Sequence, residues 1–266
     1  MPETAVVFQA PAEVERARRA LEKAGAAFWQ VEPPPDVARV AVPFLVIPDA
    51  SRGALHEAVR AGLVLAGRVP YREPDDGALD ALGLMPDVDE DVVGRVVIVF
   101  VGPCTATDDE IRLTAQVEGD LGPVLPYLNA ALPAGTYGPE GPTFTFMDGP
   151  RLVNLSAHRI AVARCREMVD AWRTLEAVRR RVLDVWSRRA GIEPSTERRV
   201  QVTVLEVYQR TPQINCGACG EPTCMAFAAR LVAGEQRPQH CAPAQEGDYR
   251  HLRAGLEEIA ARLGLP

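Results

Sequence analysis

The chain has 266 residues, 47% of them hydrophobic and 24% charged, with a formal net charge of −7. These values fit one large domain or two to three small ones and exclude global disorder, a collagen-like repeat and a small disulfide-stapled fold. The acidic balance also argues against a protein that coats nucleic acid, since such proteins are usually basic.

Lys23 is the only lysine among 29 basic residues. It sits at the polar end of an apparent helix, so neither a Walker-type phosphate loop nor a Schiff-base lysine is available. No run of 18 apolar residues is present, so no membrane span is expected. The start, Met-Pro-Glu-Thr, lacks the basic and apolar regions of a signal peptide. The expected location is the cytoplasm, where thiols stay reduced and clustered cysteines become metal-ligand candidates.

Residues 5–9 form a short apolar run. Residues 12–24 carry Val14, Ala17, Ala20 and Leu21 at helical spacing, with Gly25 as the stop. Residues 26–31 and 37–47 read as strands, the second interrupted by Pro43. Ser51 is placed to cap a helix running to about Leu65. Two strand–helix units of this size predict a small ferredoxin-like layer over residues 1–75. Residues 76–94 read as an acidic linker with turn chemistry.

A middle α+β domain is expected over residues 95–190. It opens with a β-branched run at 95–101, read as a buried strand, followed by period-two alternation at 111–117. Residues 121–132 suit a helix that Pro123 and Pro126 keep short. Strands at 143–147, 152–155 and 160–162 follow, with Asp148-Gly149 as a hairpin signal. A long amphipathic helix over 168–186 points Met168, Trp172, Leu175, Val178 and Val182 inward. The arginines at 179–181, 188–189 and 198–199 read as a solvated positive face, with docking to an acidic partner or an RNA backbone as the rival reading. Beyond Pro194, residues 195–266 form a small, mainly helical C-terminal domain. The segment 200–208 reads as strand or helix, and 225–233 and 247–263 as helices. The fold class is therefore α+β.

Four of the six cysteines, Cys216, Cys219, Cys224 and Cys241, fall in the last fifth of the chain. Three thiols on a tight loop and a fourth returning from a distance suit a compact polynuclear centre. A cubane 4Fe–4S cluster takes one thiolate per iron. Thiolate-only zinc sites usually come as two Cys-x-x-Cys pairs, unlike this spacing. Gly217 and Gly220 permit positive φ beside the ligands. Pro222 suits the first helical position, which puts Cys224 in the first turn, where the helix dipole favours a thiolate. His240, beside the fourth cysteine, is a candidate for tuning the centre, with a solvated loop histidine as the plainer reading.

The segment Asn215-Cys-Gly-Ala-Cys-Gly-Glu-Pro-Thr-Cys-Met-Ala-Phe-Ala228, followed by Leu231, Gly234 and Cys241, resembles the 4Fe–4S domain of the corrinoid iron–sulfur protein large subunit. That domain also occurs in B-type subunits of membrane electron-transport complexes. The resemblance covers about residues 210–243 and places cysteines at all four ligand positions. It implies one low-potential 4Fe–4S cluster and single-electron transfer to a redox partner protein, corrinoid-bearing or ferredoxin-like. One departure is Ala242, which stands between the last cysteine and Pro243. Upstream, no Asp-x-His-x-x-Gly cobalamin signature appears. That part resembles at most uncharacterised bacterial iron–sulfur proteins, through no motif that can be quoted.

The expected function is thus an electron-transfer protein rather than a stand-alone catalyst. One alternative is an enzyme or ligand-binding protein with a middle-domain site near Cys104 or the 143–162 hairpins, served by the cluster. Another is a cluster-based sensor of oxygen or redox state. Cys165, at an apolar strand end, reads as a packed small residue.

Overall fold

The computed structural model describes residues 3–74, 82, 85–105, 107, 109–198, 202–263 and 265. Two compact units divide it: residues 1–131 with 137–196, and residues 132–136 with 197–266.

The first unit begins with β1 (Glu3–Val7), α1 (Pro11–Lys23), β2 (Trp29–Val31), β3 (Phe44–Pro48), α2 (Arg52–Arg60) and β4 (Gly67–Pro70). The strands pair antiparallel in the order β2-β3-β1-β4. This is the ferredoxin-like arrangement that the two strand–helix units predict. Its core joins Val6, Leu45 and Ile47 of the sheet to Val14, Ala17 and Leu21 of α1 and Leu55 of α2. The opposite face is covered too: Ala5, Val7, Phe44 and Val46 are buried. Burial on both faces explains why β1 and β3 read as continuous apolar runs rather than alternating ones.

Several local expectations shift. The run at 37–47 is a strand only from Phe44, because Pro35 opens a 3-10 turn over Pro35–Val37 and the prolines interrupt extended pairing. Ser51 does not cap α2 with its side chain; it lies at φ −91°, ψ −3°, and its Oγ donates to the Ala27 carbonyl at 2.8 Å. The helix stops at Arg60, where Gly62 turns the chain at φ +95°, short of Leu65. Strand β4 carries no apolar pattern and is absent from the sequence reading.

The remaining strands are β5 (Val96–Pro103), β6 (Ile111–Val117), β7 (Thr136–Gly138), β8 (Thr143–Asp148), β9 (Arg151–Ser156) and β10 (Arg159–Cys165), with α3 (Leu125–Ala131) and α4 (Met168–Ser187). All ten strands form one sheet, β2-β3-β1-β4-β5-β6-β10-β9-β8-β7. The regions 1–75 and 95–190, read separately in the sequence, share this sheet through the parallel pairing of β4 with β5 at Gly67 and Val101. The approach there is close: a Cβ on Gly67 would lie 2.0 Å from the Val101 carbonyl oxygen. Gly67→Ala is therefore expected to cost about 1–3 kcal/mol, the usual cost of overpacking, seen as a lower urea midpoint.

Strand β6 buries every second residue, as its alternation predicts. Strand β5 is less buried than expected: a bulge between Ile98 and Phe100 leaves Phe100 exposed, with Arg112 over its ring. At the 148–151 hairpin, Gly149 holds φ +58° as the first of two residues between the paired Asp148 and Arg151. Helix α3 is short and is preceded by a 3-10 turn at Pro123, as the two prolines require.

Helix α4 buries its predicted apolar positions and more. Trp172 is fully buried, its ring 5.3 Å from that of Phe44. Arg179 is also buried, contrary to the expected solvated face: it pairs with Asp91 at 2.7 Å and Glu176 at 3.3 Å. Arg180 pairs with Glu176, Arg181 with Asp148, and Arg188 with Asp184. Glu176 and Asp184, acids of the same helix that the sequence already places nearby, supply part of this pairing; Asp91 and Asp148 come from distant segments, which local sequence cannot reveal. Arg199 lies outside the described residues. Residues 76–81, 83 and 84 of the expected 76–94 linker do too, but its end is anchored: Glu90 accepts from Trp186 Nε1, and Asp91 accepts from the Gly94 N–H.

The second unit contains α5 (Val204–Tyr208), α6 (Cys224–Val232), α7 (Ala242–Gln245) and α8 (Arg253–Arg262). It is helical, which decides the ambiguous 200–208 segment over its described residues. Val207, Phe227, Leu231, Leu256 and Ile259 make its core, and Cys241 is packed into it. Among the described residues, no helix is long and apolar enough to cross a membrane.

Candidate iron–sulfur site

The loop before α6 reverses repeatedly. Gln213, Asn215, Gly217 and Gly220 all have positive φ, between +50° and +86°. Glycine takes this region freely and asparagine tolerates it, so the loop can curl around a centre with little strain. The Gly220 N–H donates to the Gly217 carbonyl at 3.0 Å. Asn215 Oδ1 accepts from the Cys224 N–H at 2.8 Å, tying the loop's start to its third cysteine.

Helix α6 starts at Cys224, not at Pro222. Thr223 is its N-cap and accepts from the Ala226 N–H at 3.0 Å. The threonine competes successfully for the start because its hydroxyl satisfies a helix donor that proline cannot. Cys224 still lies in the first turn, at the positive end of the helix dipole. Gly234, at φ +78°, ends the helix as expected, and the chain returns through a 3-10 turn at Pro238–His240 to Cys241.

The four cysteines border one cavity, together with Thr223, Phe227 and Pro243. Cys224 and Cys241 are buried, Cys219 is half-buried and Cys216 is exposed. None is in a disulfide. Burial pushes the Cys241 thiol above its ordinary value; the Ala244 N–H pulls it down, and the thiols of Cys219, Cys224 and Cys216 add to the rise. Among the described residues, no three Cys, His, Asp or Glu side chains are placed to hold a single metal ion. A lone tetrahedral zinc would need its sulfurs about 3.8 Å apart, from Zn–S bonds of about 2.3 Å. An all-sulfur donor set spread around a cavity fits a polynuclear iron–sulfur group better than one ion.

His240 is exposed, as the plainer reading expects, and its Nδ1 lies 2.6 Å from Gln236 Oε1. Asn215, Thr223 and Gln236 have no role in the sequence reading. Thr223 was recoverable as a Ser/Thr cap before a helix, whereas Gln236 carried no local signal.

The other two cysteines lie in the first unit. Cys104 is buried, and its N–H donates to the Glu110 carbonyl at 2.8 Å. Cys165 is fully buried; burial pushes its thiol far above the ordinary value, so it stays protonated as a packed residue.

Residues 212–243 match the family model described as "Putative Fe-S cluster". The acetyl-CoA decarbonylase/synthase complex subunit gamma 1 of Methanosarcina thermophila is 45% identical over 58 residues, covering 21% of this chain and 12% of the relative. The gamma subunit of Methanopyrus kandleri is 49% identical over 41 residues, 15% of this chain and 9% of the relative. The corrinoid/iron-sulfur protein large subunit of Moorella thermoacetica is 48% identical over 40 residues, again 15% and 9%. The chain thus spans only about an eighth or less of the length of the curated relatives it matches. No solved structure matches it. The C-terminal segment is an iron–sulfur cluster domain similar to those of the gamma and corrinoid/iron-sulfur large subunits, and the chain that carries it is an iron–sulfur protein.

Proposed function

We propose that the protein is a cytoplasmic single-electron carrier whose one 4Fe–4S cluster is ligated by Cys216, Cys219, Cys224 and Cys241. The observation that carries this reading is the shared cavity, bordered by all four thiols and by no competing histidine or carboxylate ligand other than Glu221. The Glu221 carboxylate is engaged elsewhere, with Arg230 at 3.1 Å and the Gln236 amide at 3.2 Å. When bound, such a cluster supplies a reversible one-electron couple.

The chain's own groups bind and shield. The buried Cys224 and Cys241, packed by Phe227, hold the inner side of the cavity away from water, which keeps the local dielectric low. Cys216 is exposed, so electrons enter and leave by its edge. Exposed Ile214 and Met225 flank the two residues joined by the Asn215–Cys224 hydrogen bond, giving that edge an apolar rim. The partner is a protein that accepts one electron at this edge, corrinoid-bearing or ferredoxin-like in keeping with the relatives. The first unit serves to dock that partner or its substrate.

Anaerobic reconstitution tests the reading. About four irons and four sulfides per chain and a reversible one-electron reduction are expected. A centre that forms but cannot be cycled between redox states would leave a structural role in its place.

A further inference from the structure

Among the described residues of the second unit, only Thr211 and Gln236 are buried polar side chains. The Thr211 hydroxyl is satisfied locally, donating to the Tyr208 carbonyl at 2.7 Å. Gln236 reaches further. Its Nε2 donates to the Cys219 carbonyl and to Glu221 Oε1, both at 3.2 Å. Its Oε1 stands 2.6 Å from His240 Nδ1, which donates if that nitrogen carries the proton. One amide therefore touches the second cysteine, Glu221 between the second and third, and the residue preceding the fourth.

The amide is held in place. The Gln236 N–H donates to the Arg230 carbonyl at 3.2 Å, pinning its backbone to the end of α6. From there the 3-10 turn at Pro238–His240 leads directly to Cys241. The fourth cysteine is distant in sequence from the other three, and that separation has to be closed by contacts. The Gln236 side chain bridges the two parts by hydrogen bonds.

We infer that Gln236 is a positioning residue: it holds the Cys219 loop against the Cys241 arm and sets how firmly the four-thiol cavity retains its cluster. This inference rests on the cluster reading above. The amide donates to a ligand residue's carbonyl, not to a sulfur, so it acts through the placement of Cys219 and Cys241. Groups that orient metal ligands in this way typically matter ten- to hundred-fold for metal retention.

The test compares wild type, Gln236→Leu and, as control, Gln239→Leu on an exposed residue of the same turn. Each full-length protein is reconstituted anaerobically, then followed for cluster loss to an iron chelator and for reduction potential. Gln236→Leu is expected to take up the same iron and sulfide, to lose them roughly tenfold faster, and to show a displaced potential, with the control unchanged. Wild-type retention and potential in Gln236→Leu would overturn the inference. Should the leucine variant fail to fold, Gln236→Glu keeps the acceptor for His240 and removes the donor to Cys219. The same faster loss is expected of it, and a wild-type rate would overturn the inference. Failure of wild type itself to bind iron and sulfide would instead overturn the cluster reading.

Discussion

Cys224→Ser should leave the anaerobically reconstituted protein with roughly a tenth or less of the wild-type iron, measured as iron and sulfide per chain and as the signal of the reduced cluster. Cys224 is one of the two buried cysteines that border the cavity. It starts α6, where the dipole favours negative charge, and its N–H is already satisfied by Asn215. Serine keeps the volume and the helix start, and the Thr223 cap is untouched, so helical content should stay at the wild-type level. Loss of iron with retained helicity separates a ligand defect from a folding defect. Full occupancy in Cys224→Ser would remove this residue from the ligand set.

Arg179→Leu should destabilise the first unit by about 1–3 kcal/mol, the cost of taking one partner from the buried Glu176 carboxylate, which Arg180 still holds at 2.8 Å. The Arg179 and Glu176 side chains are only 1% and 3% exposed, so water cannot replace the lost partner. All three tryptophans, Trp29, Trp172 and Trp186, lie in that unit, so their fluorescence in urea reports its unfolding. The pH dependence has a definite sign. Burial pushes the Asp91 carboxyl up, but the Gly94 N–H and Arg179 more than offset it and hold it below its ordinary 3.8. Its stabilisation is fully present above about pH 4 and is lost as pH falls through the lowered value. The gap between wild type and Arg179→Leu should therefore narrow on acidification. A wild-type urea midpoint in the variant would show the arginine to be dispensable.

The element types were largely legible because they depend on local periodicity. The helix at 168–186, the alternation of β6 and the first strand–helix units all follow from apolar spacing and turn residues. Errors cluster where a distant partner overrides a local preference. Ser51 looks like a helix cap, yet its hydroxyl is taken by the Ala27 carbonyl across the chain. Strand β4 has almost no strand pattern, and its place follows from antiparallel pairing with β1 and the close approach of Gly67 to Val101. Phe100 belongs to a run that reads as buried, but the bulge beside it turns the ring outward.

By itself, the sequence determined that this protein carries an iron–sulfur segment. Three of the candidate ligands stand within nine residues, and the glycines that let the loop curl lie beside them, so short-range geometry alone points them at a common centre. Only the tertiary structure decided that Cys216 is the exposed edge and Cys241 part of the core. It also decided that Arg179 and Arg181 of α4 meet the distant Asp91 and Asp148 and that Gln236 ties the cysteine loop to the returning arm. Burial and charge pairing depend on which distant segments meet, and hydrogen bonds between residues 15 or more positions apart leave no periodic trace in the chain.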